Sequence, residues 1–375
     1  MADKLAEVAT ASRAAGSVAG SKGADLPSLA LGGDAAAQFR TKLATWYREN
    51  ARELPWRGVD DPYATWVSET MLQQTRVATV IERYAAFLRR FPTVRALAAA
   101  EESDVLALWS GLGYYRRARM LHQGARFVVQ QLAGKLPRSA AELRALPGVG
   151  PYTAAAIASI AFGEKVAALD GNVERVLLRV LGESENKTGG AKARLTEVAQ
   201  QLMPLRAAQG RNAAGDHNQA MMELGATVCL PRAPLCLHCP VVALCCTRGE
   251  HPTAKRAGMQ RRRVAHLLLL RQRAGATEVL LERRAATASL MAGMLELPPL
   301  PLDAANGTEP MLKVKHSITN TNYEVEVFAE ASLRKEIVAA KSALQWVDAA
   351  RLAEVPLTGL ARKVLQKVGA MRAAR

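Results

Sequence analysis

Cys229, Cys236, Cys239 and Cys245 stand at the spacing C-x6-C-x2-C-x5-C, and only one further cysteine, Cys246, occurs in the 375 residues. Thiolates gathered this densely are metal ligands, and both a zinc ion and an iron-sulfur cluster accept four of them. Zinc ribbons favour two C-x2-C pairs, whereas this run holds one, between Cys236 and Cys239. A clustered set without distant partners also points to a reducing compartment rather than to disulfides. A second chemical element is Leu146-Pro147-Gly148-Val149-Gly150. It lies between a helical stretch from Ser139 and an Ala/Ile-rich helix opening at Pro151, which predicts helix, tight glycine hairpin, helix. Two glycines permit positive φ and leave backbone N–H groups uncovered, and the second helix aims its positive end at the same place. The element suits a phosphate, and an ordinary αα-hairpin satisfies the same residues.

These groups must be positioned by a chain that is 49% hydrophobic and long enough for two or three packed cores. From 36 to 228 apolar residues recur at helical spacing, with breaks at Pro92, Gly111, Gly113, Pro137, Pro147 and Gly163, so this half reads as all-α. Arg248 to Arg263 is polar, basic and broken by Gly249, Pro252 and Gly258, which places a linker at 251–262. Beyond it, strand-like runs at Val264 to Leu270, Glu278 to Leu281 and Tyr323 to Phe328 precede an amphipathic helix near Thr358 to Val368, an α/β pattern over 263–372. Residues 1–35 are rich in Ala, Gly and Ser and lack an apolar h-region, so they are expected to be a disordered tail and not a signal or transit peptide. No apolar run approaches the roughly 20 residues of a membrane span. The formal charge of +16 fits a polyanionic partner, although a solvated basic surface gives the same sum. Arg116, Arg117 and Arg119 follow Tyr114 and Tyr115, and a second run, Lys255, Arg256 and Arg261 to Arg263, suits a solvated linker equally well.

The hairpin, the later Leu169-Asp170-Gly171-Asn172-Val173-x-Arg175-Val176 and the cysteine run together resemble the helix-hairpin-helix DNA glycosylases that carry an iron-sulfur cluster, in the expected order from about 36 to 248. Leu54-Pro55-Trp56-Arg57, the run Trp66 to Val77, Gly111 to Arg119 and Asn218 to Ala226 narrow the resemblance to the MutY-type adenine DNA glycosylases. That resemblance implies a multidomain protein: an all-α helix-hairpin-helix domain with a [4Fe-4S] loop, then a smaller α/β, Nudix-like domain recognising 8-oxoguanine. It implies excision of adenine opposite 8-oxoguanine or guanine from double-stranded DNA. The hairpin residues Leu146, Gly148, Val149 and Gly150 would grip the backbone, while Gln73 and Tyr114 would wedge the opened stack. A capping amide and a core aromatic are the structural alternatives for those two.

The chemistry can be argued beside the resemblance. Adenine leaves poorly as an anion, so cleavage needs a proton delivered to the base and negative charge near the developing oxocarbenium ion. Glu69 suits the acid, because Trp66 and Gln73, its helical neighbours, offer no ion pair and create apolar surroundings that raise a carboxyl pKa. Asp170 would stay ionised and stabilise the cation, by charge or by transient covalent capture; as Asp before Gly-Asn it is also a good N-cap. By resemblance, Tyr152 and Asn172 would orient that aspartate and the attacking group. In the related endonuclease III-type enzymes the position of Tyr152 holds the Schiff-base lysine, so the resemblance implies a monofunctional enzyme that leaves an abasic site. Lys165, the nearest downstream lysine, reads as a surface residue.

The resemblance also implies Cys229, Cys236, Cys239 and Cys245 as the cluster ligands, with Cys246 either an adjacent spare thiol or a ligand in an alternative register. At His316-Ser317-Ile318-Thr319-Asn320 the family's Phe-Ser-His loop has lost its aromatic, leaving the Thr319 hydroxyl to meet 8-oxoguanine. A Nudix hydrolase box is missing from the sequence, which argues against nucleotide hydrolysis. A bifunctional pyrimidine glycosylase/lyase and a non-enzymatic DNA-binding or redox module are the competing readings. The expected setting is a monomer in a bacterial-type cytoplasm, associated with the nucleoid through DNA, with no membrane partner.

Overall fold

The computed structural model describes residues 32–184, 188–205, 212–250, 258–288, 290–305, 307–329, 331–337 and 343–371. The expected tail up to 31 and linker at 251–257 lie outside these residues. Two expected boundaries shift. The first helix, α1 (Gly33–Asn50), opens before residue 36, because Ala35 to Ala37 are strong helix formers and Asp34 in the first turn complements the helix dipole. The first strand, β1 (Gln260–Leu267), takes in part of the expected linker, because Gln260 to Arg262 pair in parallel with Thr321 to Tyr323.

The helical region continues as α2 (Pro62–Leu72), α3 (Val77–Arg90), α4 (Val94–Ala99), α5 (Glu102–Leu108), α6 (Arg116–Gln131), α7 (Ala140–Leu143), α8 (Pro151–Phe162), α9 (Gly171–Leu181), α10 (Gly189–Gln201) and α11 (Ala213–Thr227). They enclose two cores. Trp66, Val67, Phe87, Trp109, Leu121 and Ile157 build one from α2 to α8. Phe39, Leu43, Leu177, Leu195 and Leu224 build the other, so α1 packs with α9 to α11. Asp170 opens α9 where the chain passes from the first core to the second.

The hairpin forms between α7, closed by a Ser139–Glu142 capping box, and α8, which has Pro151 in its first turn. Only one of its glycines uses positive φ. Gly148 does, at +77°, whereas Gly150 is the extended N-cap of α8, with φ −86°.

The C-terminal region is α/β. Its first sheet has the order β5-β1-β7-β6, where β5 is Pro299–Leu300, β6 Leu312–Ile318 and β7 Thr321–Phe328. In the second, β3 (Ala276–Arg283) pairs with β2 (Leu270–Arg273) and β4 (Leu295–Glu296) along one edge and with β8 (Leu344–Asp348) along the other. Helix α12 (Gly359–Lys367) packs Leu360, Ala361, Val364 and Leu365 against both sheets, with Thr358 as its N-cap. This region is fastened to the helices. Met294 is buried in the first helical core. Ser110 Oγ donates to the Leu357 carbonyl at 3.0 Å, Tyr115 Oη donates to the same oxygen at 3.2 Å, and Arg362 Nε donates to Ser110 Oγ at 2.9 Å.

A Cβ on Gly148 would lie 2.4 Å from Met120 Cβ, whereas one on Gly150 would meet open space. Gly148→Ala should therefore cost about 2–4 kcal/mol from strain and overpacking, and Gly150→Ala below about 1 kcal/mol, both measured by chemical denaturation.

Candidate active site

Glu69 lies on α2, a helix buried on nearly every side, and its side chain is 5% exposed. Tyr152, on the first turn of α8, donates its hydroxyl to Glu69 Oε2 at 2.7 Å. Burial pushes the Glu69 carboxyl up to about 7; the Tyr152 hydrogen bond and the Arg57 charge oppose that, and the Asp170 charge adds to it. A carboxyl in this state is partly protonated at neutral pH and can deliver its proton. The Tyr152 phenol stays neutral, its pKa raised well above the ordinary value by burial and by the Glu69 charge.

Asp170 caps α9. Its Oδ1 accepts from the N–H groups of Asn172 at 2.9 Å and Val173 at 2.7 Å, and its Oδ2 accepts from Asn172 Nδ2 at 3.1 Å. Burial raises its pKa, and these donors, with the Arg175 charge, pull against that rise. Asn172 therefore orients Asp170, while Tyr152 holds Glu69 instead of the aspartate. Asn172 is in turn fixed by Arg175, which donates to its Oδ1 at 2.9 Å, to Gly225 O at 2.7 Å and to Cys229 O at 2.9 Å. Lys165 is exposed, as expected for a surface residue.

A cleft of about 980 Å³ opens between the helical and sheet regions, walled by Thr70, Gln73, Tyr114 and Gly148 on one side and by His316 to Thr319 on the other. Glu69, Tyr152 and Asp170 are outside its walls, although Thr70 and Gln73 adjoin Glu69 on the same stretch of chain. Tyr114 is 51% exposed and so is no core aromatic. Gln73 follows the last turn of α2 and donates to Thr153 Oγ1 at 3.0 Å. Thr319 sits in the β6–β7 turn at φ +52°, its hydroxyl donating to the adjacent Ile318 carbonyl at 2.7 Å. Arg116 is exposed, but the rest of its basic run is used internally. Arg119 pairs with Glu102 at 2.8 Å and donates to the Ala292 carbonyl. Arg117 is turned inward, its pKa pushed down to about 10 by burial.

Cys229, Cys236, Cys239 and Cys245 line one small cavity, with Cys246 exposed outside it. Among the described residues no three His, Cys, Asp or Glu side chains come close enough to hold a single metal ion. Four thiols around one cavity suit a thiolate-ligated metal centre. Arg179, buried at 3%, lines the same cavity; it donates to Cys229 Sγ at 3.3 Å and to the carbonyls of Leu230 and Pro231, and its Nε has no partner among the described residues. Such a cation calls for nearby negative charge, which a four-thiolate cluster supplies.

Residues 67–201 match the model of the HhH-GPD superfamily of base excision DNA repair proteins. A solved thermostable thymine-DNA glycosylase is 30% identical, with a TM-score of 0.51 over 57% of this chain and 96% of that one. This chain belongs to the HhH-GPD superfamily. It is 51% identical over 218 residues to the adenine DNA glycosylase of Rattus norvegicus, a match covering 55% of this chain and 41% of that one. It is 39% identical over 208 residues to that of Buchnera aphidicola subsp. Baizongia pistaciae, covering 55% and 57%. The chain thus spans about half the length of the curated relatives it matches.

Sequence reasoning missed the cations that surround the carboxylates. Glu223, 1% exposed, takes Arg52 at 2.7 Å and Arg57 at 2.7 Å. Burial pushes its carboxyl up, and the hydrogen bonds from both arginines with the Arg57 charge more than offset this, holding it at about 2. Arg57 and Glu223 both stood inside quoted motif segments, but nothing local joins positions so far apart in sequence. Because the folded-state pKa is depressed, the pair's stabilisation is present above the ordinary carboxylate pKa and is lost as pH falls through about 2. Glu223→Gln should cost about 2 kcal/mol at pH 6, with the gap to wild type narrowing below pH 4.5 in denaturant titrations.

Proposed function

We propose that this protein is a monofunctional base excision enzyme that hydrolyses the N-glycosidic bond of adenine mispaired with 8-oxoguanine or guanine in double-stranded DNA. The observation that carries the reading is a pair of buried carboxyls with different partners: Glu69, which meets the neutral Tyr152 hydroxyl and is partly protonated near neutral pH, and Asp170, fixed by backbone and amide donors. Once adenine is flipped from the stack, Glu69 delivers its proton to the departing base, which leaves as neutral adenine. Asp170 meets the positive charge that develops on the sugar, and water completes the hydrolysis. With Tyr152 in the place of a nucleophilic lysine, the product is an intact strand bearing an abasic site.

The exposed Arg116 and the hairpin N–H groups of Gly148 and Gly150 suit phosphates on the flanking backbone. Gln73 and Tyr114 project at the cleft from the helical side and Thr319 faces them from the sheet region, an arrangement that fits the strand opposite the extruded adenine. We read the sheet region as a Nudix-like domain that contributes Thr319 to recognition of 8-oxoguanine. Cys229, Cys236, Cys239 and Cys245 would hold a [4Fe-4S] cluster, whose thiolate charge balances Arg179 and orders the loop after α11.

The test is single-turnover cleavage of duplexes containing adenine opposite 8-oxoguanine. Strand breaks are expected only after alkali; breaks without alkali would overturn the monofunctional reading. Glu69→Gln should lower excision by about 10²- to 10⁴-fold while leaving salt-sensitive DNA binding in place. As Glu69 acts in its protonated form, the wild-type rate should hold below pH 7 and fall about tenfold per unit above it. Tyr152→Phe removes a hydrogen bond that lowers the Glu69 pKa, so the same fall should move to higher pH. A pH-independent rate would remove Glu69 as the acid.

A further inference from the structure

Arg117 is the most heavily bonded side chain near the cleft. Its Nη1 donates to the carbonyls of Thr70 at 2.9 Å, Met71 at 2.9 Å and Gln73, and its Nη2 to Thr75 Oγ1 at 2.9 Å, Leu112 O at 3.1 Å and Gly113 O at 3.1 Å. The guanidinium also stacks 5.6 Å from the Tyr114 ring centroid and 5.5 Å from that of Trp109. The first acceptors are end carbonyls of α2, which have no partner within the helix and carry its negative dipole end. Thr75 follows them just before α3, and the Leu112 and Gly113 carbonyls belong to the turn before α6. One planar cation thus joins the segment Gln73–Thr75 to the segment Leu112–Tyr114. Each segment holds a residue in a left-handed conformation, Gln74 at φ +56° and Tyr114 at φ +47°. Such backbone persists only where surrounding contacts fix it.

We propose that Arg117 is a positioning residue that sets the gap between Gln73 and Tyr114, so that both side chains enter the base stack together as adenine is extruded. The proposal rests on reading Gln73 and Tyr114 as the wedge. Unstacking a base step costs a few kcal/mol, and a loop free to recoil would yield before the duplex did. The six acceptors oppose that recoil from both sides. A lysine keeps the charge but presents its donors from a single point, so it can reach one segment and not both.

The full-length protein is assayed by single-turnover excision on two duplexes. One is fully paired around an adenine opposite 8-oxoguanine. The other has noncomplementary bases on both sides of that pair, so the adenine is already unstacked. Arg117→Lys should lose about 10²-fold on the first duplex and less than about threefold on the second. Equal losses on both duplexes, or no loss on the first, would overturn the proposal. Arg117→Met gives the same comparison without the charge, and a melting curve for each variant separates misfolding from mispositioning. Gln73→Ala and Tyr114→Ala are run beside them. If these show no preference for the unstacked duplex, the wedge reading fails and the proposal falls with it; if they do while Arg117→Lys does not, only the proposal falls.

Discussion

The site depends on keeping one carboxyl out of reach of the cations around it. Glu69 is buried in a strongly basic chain, and Arg57 is near enough for its charge to lower the Glu69 pKa. A direct ion pair there would fix the glutamate as an anion and remove the acid. Glu223 prevents it by holding Arg57 and Arg52 in short ion pairs. The two glutamates end at about 7 and about 2, and that divergence follows from which of them takes the guanidinium groups. Tyr152 then gives Glu69 a neutral partner, satisfying one buried oxygen without supplying a charge.

The two helical cores set the rest of the geometry. Glu69 and Tyr152 ride on helices of the first, and Asp170 opens the first helix of the passage into the second. The carboxyls therefore sit at a seam, and their registry rests on whatever crosses between the cores. Asn218 is one such crossing, its Nδ2 donating to Ser159 Oγ on α8 and to Val166 O, and its Oδ1 accepting from Ala168 N just before the aspartate. Arg175 is another, tying Asn172 to the backbone at Gly225 and Cys229.

What the sequence made legible was local. Helical periodicity, Pro151 in a first helical turn, the Ser139 box and Asp170 before Gly-Asn each carry their geometry within a few residues. The low exposure of Glu69 was also legible, since Trp66 and Gln73 gave it no charge to meet. Long-range choices were not. Arg116, Arg117 and Arg119 are equivalent as letters, yet one faces outward, one is enclosed by carbonyls and one reaches Glu102 and the sheet region. Only the arrangement of helix ends decides which arginine finds unpaired acceptors. The hairpin glycines show the same limit, since only the contact of Gly148 with Met120 reveals which of the two cannot carry a side chain.

Met294 gives the attachment of the sheet region a meaning for folding. Its side chain comes from the β3–β4 connection but is buried among aromatic and aliphatic residues of the first helical core. If the sheets came apart while the helices stayed folded, that seat would open to water as an apolar hollow, and Ser110 and Tyr115 would lose their shared acceptor at Leu357. Cooperativity between the two regions is thus written into one methionine and a pair of hydroxyls, and partial unfolding of the sheets uncovers sticky surface on the helical region itself.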